Sequence, residues 1–231
     1  MKMTSIINGL FSILSKTILF VIGWASVNKN TFKRLNSYPR TILVFSHTTY
    51  CDFFIMILYK LAYPDELQHL KTLVKPQPFE YAGWLLHKIG AIPATKVEDK
   101  NGGAVNRIVN ELKEFDKFIF LISPKGTIVK REWRSGYYHI GKELNAVFRT
   151  AGLDYEKKCV IISEEAQNDN DEEAVKEFLQ DKLQQIVPLF PEEEIVDIRQ
   201  HDESKRTVLN VERIIGTFAI ISIIGIYVFL I

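Results

Sequence analysis

The hydrophobic and polar positions of this chain alternate between two periods. Thr41 to Ser46 (TILVFS) is an apolar, β-branched run that predicts a strand, and Tyr50 to Tyr63 predicts a strongly apolar helix after it. Leu70 to Lys75 predicts a second strand stopped by Pro76 and Pro78. Phe79 to Ile89 then predicts a helix, and Ala91 to Ala94 a brief extended segment around Pro93. From Gly103, residues Val105, Ile108, Val109, Leu112 and Phe115 recur at helical spacing, and Lys117 to Ser123 (KFIFLIS) is the plainest strand. His139 to Ala151 repeats the helical spacing through Ile140, Leu144, Val147 and Phe148, and Cys159 to Ser163 predicts another strand. Past the acidic stretch Glu164 to Glu173, which reads as a solvated loop, Val175, Phe178, Leu179, Leu183 and Ile186 mark a last amphipathic helix. Strands separated by helices require crossover connections, so the predicted fold class is α/β, a largely parallel sheet flanked by helices.

Both ends depart from this pattern. Ile214 to Ile231 carries eighteen residues without a charge, and at 1.5 Å per residue a helix of that length spans about 27 Å, enough for a thin bilayer such as that of the endoplasmic reticulum. Lys205, Arg206 and Arg213 precede it, which predicts a tail anchor with the folded domain on the cytosolic side. Ser5 to Val27 is also apolar but is interrupted by Asn8, Ser12, Ser15 and Lys16. It reads as a membrane-surface or re-entrant helical segment, with Trp24 at the interface and Lys29, Lys33 and Arg34 toward headgroups. A full second span and a poorly cleavable secretory signal are the alternatives. The expected organisation is a membrane-associated segment over 1–34, a folded α/β domain over 35–190, a linker over 191–213 and a transmembrane anchor over 214–231.

Composition narrows the chemistry. A net charge of +1 gives no overall pull toward nucleic acid, so anion binding has to come from local clusters. Cys51 and Cys159 follow neither metal-ligand nor disulfide spacing, and no metal site is expected.

Two local patterns carry chemistry. The first strand delivers His47, and Asp52 follows in the first turn of the next helix; imidazole takes up a proton near neutrality, and a nearby carboxylate fixes its tautomer and orientation. Thr49-Tyr50-Cys51-Asp52 also fits a capping pattern, under which Asp52 serves only the helix start. The strand ending at Ser123 runs into Pro124-Lys125-Gly126-Thr127, a turn in which Gly126 can adopt a positive φ, and Lys125, Lys130, Arg131 and Arg134 crowd the same loop. Such a loop is either solvated surface or an anion site at the carboxyl edge of the sheet, with Lys96 as a further positive charge.

The ordered set His47-x-x-x-x-Asp52, Gly90-Ala-Ile-Pro93, Pro124-Lys-Gly-Thr127 and Trp133-Arg-Ser-Gly-Tyr-Tyr-His-Ile140 resembles the glycerolipid acyltransferases, typified by the lysophosphatidic acid acyltransferases. The resemblance covers Thr41 to Ser163. It implies a membrane-bound O-acyltransferase that moves a fatty acyl group from acyl-CoA or an acyl-carrier protein to a glycerol phosphate or lysophospholipid, with no bound cofactor. His47 and Asp52 are then catalytic, and Lys96, Lys125, Gly126, Thr127, Lys130 and Arg131 bind the substrate; the partners are a lipid bilayer and these two substrates, and no nucleic acid. Three positions depart from the family pattern: Lys125 stands where Glu is usual, Ile128 where Arg is usual, and Lys96 lies in the middle motif. Lys96 likewise replaces an Arg, a point charge in place of a bidentate fork.

In the implied mechanism His47 accepts the proton of the acceptor hydroxyl as its oxygen attacks the thioester, with no serine nucleophile. Backbone N–H groups around Gly126, or at the helix start after His47, are expected to stabilise the oxyanion, each worth about 3 kcal/mol. A non-catalytic lipid-binding protein and an acyl-thioester hydrolase are the rival classes.

Overall fold

A computed structural model describes residues 2–24, 29–49, 51–95, 103–126, 132–163, 167 and 171–189. Its elements in chain order are α1 (Lys2–Val21), α2 (Lys29–Leu35), β1 (Arg40–Phe45), α3 (Cys51–Ala62), β2 (Leu70–Val74), α4 (Gln77–Lys88), β3 (Ala91–Pro93), α5 (Ala104–Lys113), β4 (Phe118–Ile122), α6 (Gly136–Glu143), β5 (Val147–Asp154), β6 (Cys159–Ile162) and α7 (Glu172–Gln184). The six strands form one sheet in the order β3-β2-β4-β1-β5-β6, parallel throughout except for the antiparallel pair β5 and β6. Both faces are covered, which is why β1 and β4 are apolar along nearly their whole length.

Successive residues of β1 point to opposite layers. Leu43 and Phe45 join α1, α2 and α3 through Leu19, Phe32, Leu35, Ile55 and Leu58. Ile42 and Val44 join α5, α6 and α7 through Ile108, Leu112, Ile140, Val175 and Leu179. The helix after β1 therefore lies on one face and the helix after β4 on the other. Neighbouring parallel strands whose connections leave in opposite directions open a crevice at their carboxyl ends.

One predicted element is corrected. His139 to Ala151 is not one helix: α6 stops at Glu143 and β5 starts at Val147. Asn145 takes φ +49°, its N–H reaching Lys142 O at 3.2 Å and that of Ala146 reaching Gly141 O at 2.9 Å. This is a Schellman stop, which Asn tolerates without glycine. Beyond it, Val147 and Phe148 take strand register against Thr41 and Ile42, so residues that fit the helical period serve the sheet instead.

Trp24 is corrected as well. It is not at an interface but 4% exposed within the core. The helix α1 lies on α3, with Phe11, Ser12, Ser15 and Leu19 turned inward and the Ser12 hydroxyl donating to Ala62 O at 2.8 Å, so the serines that interrupt its apolar run face protein. Its other side exposes Ile6, Leu10, Ile13, Leu14, Phe20 and Val21. Among the described residues no helix is long and apolar enough to cross a membrane. The expected anchor Ile214–Ile231 and the linker before it lie outside the described residues.

Candidate active site

The register of three adjacent parallel strands sets the site. Val44 of β1 is level with Ile122 of β4 and with Thr150 of β5, so the residues that leave these strands emerge at one edge. His47 leaves the central strand, Lys125 leaves β4 on one side, and Tyr155 leaves β5 on the other. The edge is the crevice between β1 and β4.

His47 is fixed by Asp52. Its Nδ1 lies 3.0 Å from Asp52 Oδ2, and the imidazole keeps 28% of its side-chain surface exposed against 2% for the carboxylate, so the ring is reachable and its partner is not. Asp52 Oδ2 also accepts the backbone N–H groups of Thr48 at 2.8 Å and Thr49 at 3.0 Å. In return, Thr49 Oγ1 accepts the Cys51 N–H at 3.2 Å. Asp52 thus closes the capping arrangement at the start of α3, and the same closure fixes its carboxylate beside the imidazole.

The second carboxylate oxygen is held by a residue that the sequence did not single out. The Tyr155 hydroxyl donates to Asp52 Oδ1 at 2.7 Å across 103 positions of chain. Four donors converging on two oxygens match an acceptor-only carboxylate. In the neutral ring, pairing with such a carboxylate favours the tautomer with its hydrogen on Nδ1 and the lone pair on Nε2. Reading Val147 to Ala151 as a strand beside β1 would have brought Tyr155 to this edge; the helical spacing hid it.

The turn after β4 behaves as its composition predicts. Gly126 takes φ +64°, a conformation that favours glycine, and half-buried Lys125 precedes it. Of the oxyanion donors expected nearby, those of Tyr50 and Thr127 lie outside the described residues, and the others have partners. The Gly126 N–H is committed to Ser123 O at 3.0 Å, those of Thr48 and Thr49 serve Asp52, and those of Cys51 and Asp52 serve Thr49. Lys96, Thr127, Lys130 and Arg131 lie outside the described residues. Among the described residues no cluster of three His, Cys, Asp or Glu side chains is placed to hold a metal.

A cavity of about 110 Å³ lined by Phe11, Ile57, Lys60, Leu61 and Leu67 does not belong to this site. It sits beside Lys60, eight residues along α3 from Asp52, or about 12 Å down the helix.

Against families of known proteins, the chain matches the model described as Acyltransferase over residues 26–162, more than half of its length. No curated protein and no solved structure matches it.

Proposed function

The chain belongs to the glycerolipid acyltransferase family, whose common activity is acyl transfer, and from that premise we propose that it acylates a lysophospholipid or glycerol phosphate at a membrane surface. Lysophosphatidic acid is the acceptor we favour, giving phosphatidic acid, with acyl-CoA or an acyl-carrier protein as donor. The observation that carries this reading is the partly exposed imidazole of His47 bonded through Nδ1 to buried Asp52, with Nε2 left to take a proton.

In the proposed step Nε2 removes the hydroxyl proton of the acceptor as that oxygen bonds to the thioester carbonyl carbon. The carbon–sulfur bond then breaks, and the thiolate leaves with the proton returned by the imidazolium. Asp52 holds the ring in place and balances its transient charge. Lys125, in the turn after the neighbouring strand β4, supplies positive charge for the acceptor phosphate; Lys96, Thr127, Lys130 and Arg131 are assigned to the same task by family likeness.

Two features support a bilayer as the working surface. One is the uncharged run Ile214–Ile231, read as a membrane anchor with the preceding domain on the cytosolic side, in a membrane such as the endoplasmic reticulum. The other is the outward stripe of α1, where Ile6, Leu10, Ile13, Leu14, Phe20 and Val21 recur on one helical face and would be costly to leave in water.

The test is the full chain in vesicles with labelled acyl-CoA and a panel of lysophospholipids and glycerol 3-phosphate. The expected result is acylated lipid whose formation stops in His47→Ala. Free fatty acid instead would identify a hydrolase, and no product from any acceptor a lipid-binding protein.

A further inference from the structure

We propose that Tyr155 is a positioning residue for the base, its hydroxyl locking the carboxylate of Asp52 and its ring held in place by Trp24. The inference rests on the roles given above to His47 and Asp52.

A carboxylate bonded through one oxygen keeps freedom about its last torsion, which in Asp is broad. Here Oδ2 is shared by His47 Nδ1 and the amides of Thr48 and Thr49, and the Tyr155 hydroxyl secures Oδ1 at 2.7 Å. Rotation of the carboxylate would break bonds at both oxygens together. The aim of the imidazole therefore depends on a residue from a different strand.

Tyr155 is itself constrained. The Trp24 ring meets it edge-on, with centroids 5.0 Å apart and planes at 82°. Trp24 is placed by the end of α1: Gly23 takes φ +82°, the Gly23 N–H reaches Phe20 O at 3.0 Å and the Trp24 N–H reaches Leu19 O at 2.6 Å. This Schellman motif turns Trp24 into the core beside Leu19. Its carbonyl then accepts the Tyr59 hydroxyl of α3 at 2.6 Å. The helix that offers an apolar stripe to the outside thus ends on the residue that holds Tyr155 against Asp52.

The test compares the full chain in vesicles as wild type, His47→Ala, Tyr155→Phe, Trp24→Ala and Trp24→Phe. Tyr155→Phe keeps the ring on Trp24 and removes only the hydroxyl. Its kcat is expected to fall about tenfold, with KM for both substrates unchanged and the acid limb of the pH profile displaced. The Nδ1–H proton resonance of His47, assigned by its loss in His47→Ala, shifts and exchanges faster. Trp24→Ala moves the same signal less, and Trp24→Phe, which keeps an edge-on ring, restores it. An unmoved Nδ1–H signal in Tyr155→Phe overturns the proposal, and so does a lower kcat with an unchanged pH profile, the mark of a merely structural role. Wild-type chain without His47-dependent turnover would overturn the function proposed above, while the Nδ1–H comparison would still decide the positioning.

Discussion

Lys125 stands three residues beyond Ile122 and His47 three beyond Val44, and Val44 and Ile122 are partners in the parallel register of β1 and β4. The segments that carry His47 and Lys125 therefore leave neighbouring strands from paired positions. Lys125→Met is expected to raise KM for a phosphorylated acceptor about tenfold while sparing turnover at saturation, as follows from removing a charge that binds ground state and transition state alike. Steady-state kinetics over a range of acceptor concentrations check this. Equal losses with an acceptor lacking the phosphate would show that Lys125 does not read that group.

Asp52→Asn preserves shape but places an amide where four donors converge. The amide can keep its oxygen toward His47 and turn its NH₂ to the Tyr155 hydroxyl, but it lacks the charge that would balance an imidazolium. A fall in kcat of at least about a hundredfold is expected, with acceptor KM little changed. Single-turnover measurement of acyl transfer separates this chemical defect from one in binding.

The outward stripe of α1 predicts a split between substrates. In the double variant Leu10→Asp and Ile13→Asp, both positions exposed, the domain keeps its core contacts and loses apolar surface for the bilayer. Acylation of a vesicle-embedded acceptor should fall about tenfold or more, and acylation of a short-chain, water-soluble acceptor should persist. Loss of both together would mean that the stripe serves the fold.

Arg149 is 1% exposed, and its guanidinium donates to Ser163 O through Nε and Nη2 and, at 2.9 Å, to Arg34 O through Nη1. Burial pushes its pKa down, with nearby Tyr38 opposing that shift. It ties the end of α2 to β5 and to the chain after β6. Arg149→Met removes these donors, leaving the Arg34 carbonyl only the Ser37 N–H at 3.2 Å, and is expected to cost about 2 kcal/mol, read as a lowered thermal midpoint.

Lys60 gives a stability change with a definite sign. Burial, and secondarily the neighbouring charge of Lys71, push its pKa down to about 8, while its ammonium donates to Leu70 O and Ile89 O. Above that value the folded chain releases the Lys60 proton, and the unfolded chain keeps it up to the ordinary lysine range. Folding stability contributed by this group therefore rises with pH from about 8 to about 10.5 and is flat below. The difference in thermal midpoint between wild type and Lys60→Met should grow in favour of wild type across that window. A constant difference would show that Lys60 keeps its proton when folded.

What the sequence determined by itself is local. His47 and Asp52 lie within five residues, so a strand end followed by a helix start brings them together whatever the rest of the chain does, and the Thr49 capping pattern adds the amides. The apolar run of β1, the helix α3 and the turn at Gly126 are likewise legible, because periodicity and a glycine at a positive φ act over a few residues. The tertiary structure decided which distant residues complete the site. Val147 and Phe148 fit a helical period and a strand equally well, and only pairing with β1 resolved them; that pairing carried Tyr155 to Asp52. Trp24 looked suited to an interface until Gly23 turned it inward onto Tyr155. Strand order and register depend on burial summed over the whole sheet, which short windows of sequence do not encode.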